Sequence, residues 1–252
     1  MANWNDPQPS SRNAQAGFGA APGLNPSVPS TRAGFDAGLR KYMLSIYNYM
    51  ASGVLLSGLV AIAMANTAFG LAIISSPLMF LFIFAPLGIV FAMSFGANRF
   101  SQGTLQILFW SFAVLMGISM STIFLVYTGA SIAATFFATA GAFAGLSLFG
   151  YTTKKDLSGL GSFLIMGVIG LLIAMVINIF LQSSALQWAI SFLGVLIFAG
   201  LTAYDTQRLK AQYYHLAGSD FLGKAVILGA LTLYLDFINM FQFLLAFMGQ
   251  RD

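Results

Sequence analysis

Two aspartates stand where a carboxylate is hard to place. Asp236 lies about fourteen residues into the last apolar stretch, in Leu233-Tyr234-Leu235-Asp236-Phe237-Ile238-Asn239. Asp205 closes the apolar stretch before it, in Leu201-Thr202-Ala203-Tyr204-Asp205-Thr206-Gln207-Arg208. A carboxylate at the centre of a membrane helix costs roughly 3 kcal/mol on insertion scales, so it tends to face the protein interior and to have a task. Thr232, Asp236 and Asn239 fall at i, i+4 and i+7 and share a helix face; Thr202 and Asp205 share another. For each acid the alternative is a structural carboxyl group, hydrogen-bonded or neutral. Arg99 is a third candidate, a fork of donors at the level expected for Asp205, unless it is a snorkelling charge.

Other chemistries fail for want of residues. The chain has one histidine, His215, and no cysteine, so neither a Ser–His dyad within the apolar stretches nor a His/Cys zinc site can be assembled. Disulfides are excluded as well. No P-loop sequence is present. No lysine occupies the middle of the last apolar stretch, which removes a retinal Schiff base. The net charge of +4 does not indicate nucleic acid, because the basic residues lie between apolar runs. The chain reads as a non-enzyme without a resident cofactor. One enzyme reading stays open: Tyr204-Asp205 and Asp236 resemble the paired aspartates of intramembrane aspartyl proteases. Those carry Gly-x-Gly-Asp at the second acid, where this chain has Leu233-Tyr234-Leu235-Asp236, and no Pro-Ala-Leu follows.

The elements that carry these residues follow from composition. With 58% hydrophobic and 7% charged residues, a soluble fold of this length could not cover its surface, so the surplus must face lipid. Seven apolar stretches run over about 43–66, 77–98, 105–126, 130–151, 161–181, 186–205 and 222–248. Each matches the roughly 20 residues that span about 30 Å of hydrocarbon. Backbone groups in lipid must be paired internally, so the spacing predicts helices, with Pro86 kinking the second. Residues 1–38 hold five of the seven prolines among Asn, Gln, Ser and Gly, which predicts a disordered cytoplasmic tail before a transmembrane domain at 39–252. The tail has no apolar core followed by a cleavage site, so the first span is expected to act as an uncleaved anchor. Gly141 and Gly145 form a G-x-x-x-G in the fourth stretch, read chiefly as packing within the chain and otherwise as a dimer contact.

Ten of the eleven Lys and Arg residues fall on one side of an alternating seven-span path, and Arg251 alone on the other. The positive-inside rule therefore predicts a cytoplasmic N-terminus and an external C-terminus. The contact between the two acids is less determined. Asp205 is 17 residues from Trp188, about 25 Å, and Asp236 is 12 residues from Met248, about 18 Å. The two depths differ by about 8 Å, a gap that helix tilt could close.

At these same residues the chain resembles the Bax inhibitor-1 family. Gly200-Leu201-Thr202-Ala203-Tyr204-Asp205-Thr206-Gln207-Arg208 looks like its sixth-helix motif, and Leu233-Tyr234-Leu235-Asp236-Phe237-Ile238-Asn239-Met240-Phe241 like its last-helix signature. The resemblance implies an all-α membrane protein: a seven-helix bundle with the last helix between two three-helix layers, in a bacterial inner membrane. It implies a pH-sensitive calcium leak, gated by an aspartate pair matching Asp205 and Asp236, with Arg99 corresponding by position to an arginine that binds the pair. Some members carry a glutamate on the second helix, whereas this chain has no glutamate. Calcium would be the transported ion, met by the oxygens of Asp205, Asp236, Asn239 and Thr202 and by backbone carbonyls. The second reading is a non-transporting partner of a membrane-bound ATP-dependent protease, since some bacterial relatives are linked to one. Oligomeric state is not readable from these residues.

The charge split yields a direct test. Reporter fusions after residue 20, in the segment holding Lys154 and Lys155, and after Arg251 should read inside, inside and outside. A cytoplasmic C-terminus would remove the seven-span path.

Overall fold

In a computed structural model, residues 27–250 are described, with side chains from Asp36 onward. Most of the expected tail therefore lies outside the described residues. Helix is present from Ser27, earlier than the first apolar stretch suggests.

Seven helices are long and apolar enough to cross a membrane. They are α1 (Ser27–Asn66), α3 (Leu78–Gly96), α4 (Gln102–Met120) continued by the short α5 (Ile123–Val126), α6 (Gly129–Thr152), α7 (Ser158–Leu181), α8 (Ser184–Leu216) and α9 (Leu222–Met248). A further short helix, α2 (Ala68–Ile74), lies between α1 and α3. Among the described residues there is no strand. Pro86 sits buried inside α3 without ending it.

The breaks between helices are built by local chemistry. Thr67, Ser101, Thr128 and Ser183 each place a hydroxyl oxygen to accept from a backbone N–H three residues on, capping α2, α4, α6 and α8. Such caps satisfy donors that a helix start leaves open, and lipid would not. The α7–α8 turn adds Asn178, whose Oδ1 accepts from Ser183 N and whose Nδ2 donates to Gln187 Oε1 at 3.2 Å. After Thr152, Asp156 Oδ1 accepts from Ser158 N at 2.9 Å, and hydrogen bonding from Ser158 holds this exposed carboxyl below the usual carboxylate range. The end of α9 is pinned to the start of α6, because Gln250 accepts from Thr128 N and donates to Ser131 Oγ.

Burial is concentrated in α9. Half of its apolar window is buried, against a third or less in the other six helices. It packs against α8, α6 and α4. On one side Tyr234, fully buried, donates to Ser57 Oγ of α1 at 2.6 Å, leaving the serine hydroxyl to donate to Ala113 O of α4 at 2.7 Å. Phe109 and Phe112 meet the Tyr234 ring edge-on. This three-helix tie holds α1, α4 and α9 together without any charge.

Glycine sets the approach of α6 to α8. A Cβ on Gly150 would overlap the Ala203 carbonyl, so the helix backbones touch two residues before Asp205. Gly141 and Gly145 do the reverse of what intrachain packing requires. Both are exposed, and a Cβ on either would meet nothing within 4 Å. Their open side faces away from the bundle because the buried face of α6 is instead the row Thr135, Thr139, Phe143, Ser147 and Gly150.

The two ties should respond differently to substitution. Tyr234→Phe removes one neutral hydrogen bond and should cost about 1 kcal/mol. Gly150→Val forces the α6 and α8 backbones apart and should cost about 2 kcal/mol or more. Thermal unfolding in detergent should place Gly150→Val clearly below Tyr234→Phe, and the reverse order would refute the close approach.

Candidate functional site

Asp205 of α8 and Asp236 of α9 come together inside the bundle, close enough for their carboxyl groups to share a hydrogen bond. A hydrogen bond between two carboxyl groups exists only while one of them holds a proton. Both residues are buried, at 7% and 4% exposure. Oδ2 of Asp236 is buried without a hydrogen-bond partner.

The contact becomes intelligible once the length of α8 is known. Asp205 does not close its helix, which runs on through Leu216. The polar residues Gln207, Arg208 and Lys210 continue it because they keep helical spacing and find partners, Arg208 on α8 itself and Gln207 and Lys210 on Leu157 and Tyr151. Counted from the α8–α9 turn, Asp205 lies 11 residues before Leu216 and Asp236 lies 14 residues after Leu222, about 17 and about 21 Å deep. That halves the mismatch obtained by counting from the opposite ends.

The cation beside the pair is Arg208. Its Nη1 stands 3.7 Å from Asp205 Oδ1 at i+3 on the same helix, with the arginine side chain 57% exposed. Such an exposed pair contributes at most about 1 kcal/mol. Arg99 sits exposed in the turn that follows α3. The sequence reading took Arg208 for a topology charge; its i, i+3 spacing from an aspartate within one continuous helix was the signal.

The remaining candidates are occupied locally. Thr202 Oγ1 donates to Phe198 O at 2.8 Å, and Asn239 Nδ2 donates to Leu235 O at 2.8 Å. Each keeps an oxygen able to accept. Thr206 Oγ1 donates to Ser147 Oγ of α6 at 3.3 Å, so a third helix is hydrogen-bonded next to Asp205. Gln207 anchors the α6–α7 segment, its Oε1 accepting from Leu157 N and its Nε2 donating to Lys155 O. Among the described residues no group of three His, Cys, Asp or Glu side chains could hold a metal.

The sequence motifs and this geometry coincide with a family match. The model of "Inhibitor of apoptosis-promoting Bax1" matches residues 39–252. The chain belongs to the Bax inhibitor-1 family. It is 47% identical over 219 residues to inner membrane protein YbhL of Escherichia coli, covering 85% of this chain and 94% of that one. It is 49% identical over 236 residues to an uncharacterized protein of Caulobacter vibrioides, covering 88% and 94%. An uncharacterized membrane protein of Streptococcus pyogenes is 34% identical over 221 residues. Membership and the seven apolar helices establish a multi-pass membrane protein of the Bax inhibitor-1 family.

The paired carboxyls have a spectroscopic consequence. The infrared spectrum of the reconstituted protein at pH 5 should carry a protonated carboxyl band that Asp205→Asn and Asp236→Asn each remove. Both acids fully ionised at that pH would be incompatible with the shared proton.

Proposed function

We propose that this Bax inhibitor-1 family protein is a pH-sensitive calcium leak channel of the membrane, gated by Asp205 and Asp236. The observation that carries this reading is the juxtaposition of two buried carboxyl groups, Asp205 and Asp236, where α8 packs on α9 inside the bundle. With one proton between them the acids clamp the two helices. Loss of that proton leaves two like charges in a poorly solvated place, and their repulsion favours separation. Protonation therefore favours the clamped state, and rising pH the separated one.

The same atoms suit the cargo. Ca²⁺ takes six to eight oxygen ligands at about 2.3–2.6 Å. Two carboxylates with the oxygens of Thr202 and Asn239 supply about four to six ligands, at or below the lower end of that range, which suits passage better than residence. Protons and calcium compete for the same oxygens. In the separated state Arg99 is the expected partner of Asp205, a role that Arg208 shares by proximity.

Calcium flux into liposomes holding the purified protein tests the reading. Flux should vary with pH in wild type, and Asp205→Asn and Asp236→Asn should each abolish or strongly flatten that variation. An amide keeps the shape but cannot supply the titrating charge. The double variant should resemble the singles, because the acids act as a unit. A single variant with the wild-type pH profile would place the gate elsewhere, and absence of flux from wild type would leave a non-transporting membrane partner.

A further inference from the structure

A lateral groove of about 720 Å³ opens between α1 and α6, with Phe237, the neighbour of Asp236, in its wall. It continues through Val54, Leu55, Phe136 and Phe237 into a second cavity of about 370 Å³. The helices run antiparallel along it: Arg40 and Tyr47 share one end with Ser147 and Tyr151, and Leu55 shares the other with Phe136. From Arg40 to Leu55 is 15 residues, about 22 Å, and from Arg40 to Ile62 is 22 residues, about 33 Å. The first cavity thus reaches from one interface past the middle of a hydrocarbon core of about 30 Å, and the two together cross it.

The chemistry of the wall changes along its length. The mouth holds the exposed Arg40 guanidinium and the hydroxyls of Tyr47, Ser147 and Tyr151. Lys210 adds a second cation there, its Nζ donating to Tyr151 O at 2.7 Å and lying 4.8 Å from the centroid of that ring. No carboxylate lines the cavity, and below the mouth its wall is aliphatic and aromatic. This is the complement of a molecule with an anionic head and one apolar chain.

We propose that the groove binds an anionic phospholipid, its phosphate at Arg40 with Lys210 nearby and one acyl chain lying between α1 and α6. Basic pockets between membrane helices recognise such headgroups. A second copy of this chain fits less well. Two-fold symmetry about the membrane normal would set Arg40 against Arg40 at one depth, and α6 offers no acid to offset them. A bound chain would rest on Phe143 and Phe237, whose rings stack edge-to-face at 5.6 Å, and Phe237 follows Asp236 directly. At the mouth it would meet Ser147, which is hydrogen-bonded to Thr206 beside Asp205. The lipid would therefore touch α9 directly at Phe237 and reach α8 only through Ser147.

Native mass spectrometry of the full chain released from nanodiscs of mixed phosphatidylglycerol and phosphatidylcholine tests the site without reference to ion flux. Wild type should retain phosphatidylglycerol in preference to phosphatidylcholine. Arg40→Gln should lower that retention roughly fivefold, the effect of one basic residue near the surface, while Arg40→Lys keeps most of it. Ala144→Trp, which fills the groove, should remove retention of the chain whatever the headgroup. Arg40 is exposed, so its substitution tests the site even if Ala144→Trp does not fold. Equal retention of the two lipids by wild type, or unchanged retention in Arg40→Gln, would overturn the proposal. So would a dimer that Ala144→Trp dissociates, since the groove would then belong to a second copy.

Discussion

A carboxyl group inside a membrane must be given a partner, and the arrangement of the bundle follows from meeting that demand at Asp236. The group cannot reach an interface, because it lies about 21 Å from the start of its own helix. A single acid there would be left as a lone buried charge or an unsatisfied hydroxyl, either of which costs several kcal/mol. A second acid with one shared proton meets both problems, giving the hydroxyl an acceptor and leaving the pair one net negative charge instead of two. That solution needs α8 alongside α9 at a fixed register. Gly150 then admits α6 against Ala203, and Thr206 reaches Ser147. The burial of α9 beyond that of the other helices is the same demand seen as packing.

Helix α9 carries two kinds of tie. Tyr234 and Asp236 are two residues apart, about 200° around the helix, and so face opposite ways. The Tyr234–Ser57–Ala113 chain is neutral and does not change with pH between about 4 and 9. The Asp205–Asp236 bond depends on one proton. A helix held by a permanent bond on one side and a titratable one on the other can part from α8 while remaining docked to α1 and α4. Loss of both ties together, by contrast, would release α9 from the bundle altogether.

Much of this was legible in the sequence, and the exceptions share a cause. Spans and breaks were visible because lipid imposes a hydropathy threshold on every helix, and because Thr67, Ser101, Thr128 and Ser183 are residues that cap. The acids were visible because apolar surroundings make a carboxylate conspicuous. Hydropathy reports where a helix leaves the hydrocarbon, not where it ends. Residues 206–216 therefore read as a loop, and Arg208 was separated from Asp205 although both lie on α8. Direction around a helix is a second blind spot when every face is apolar. Gly141 and Gly145 gave the spacing of an interface but not its side, and the structure turns them outward. The groove beside α6 left no sequence trace at all, being a gap between residues 100 positions apart in the chain, as Arg40 and Ala140 are.

The position of Arg208 changes what deprotonation of the pair demands. If Arg99 alone could balance the new charge, α3 and α8 would have to rearrange before the proton left, and the acids would be locked together. Arg208 already stands 3.7 Å from Asp205, with its side chain more than half exposed. Its ion pair is with Asp205, whereas Oδ2 of Asp236 has no hydrogen-bond partner. When the shared proton departs, the charge on Asp205 is thus partly offset at once, and that on Asp236 is not. The unbalanced acid is the one on the helix tied to α1 and α4, so the strain of ionisation falls on α9 and its contact with α8.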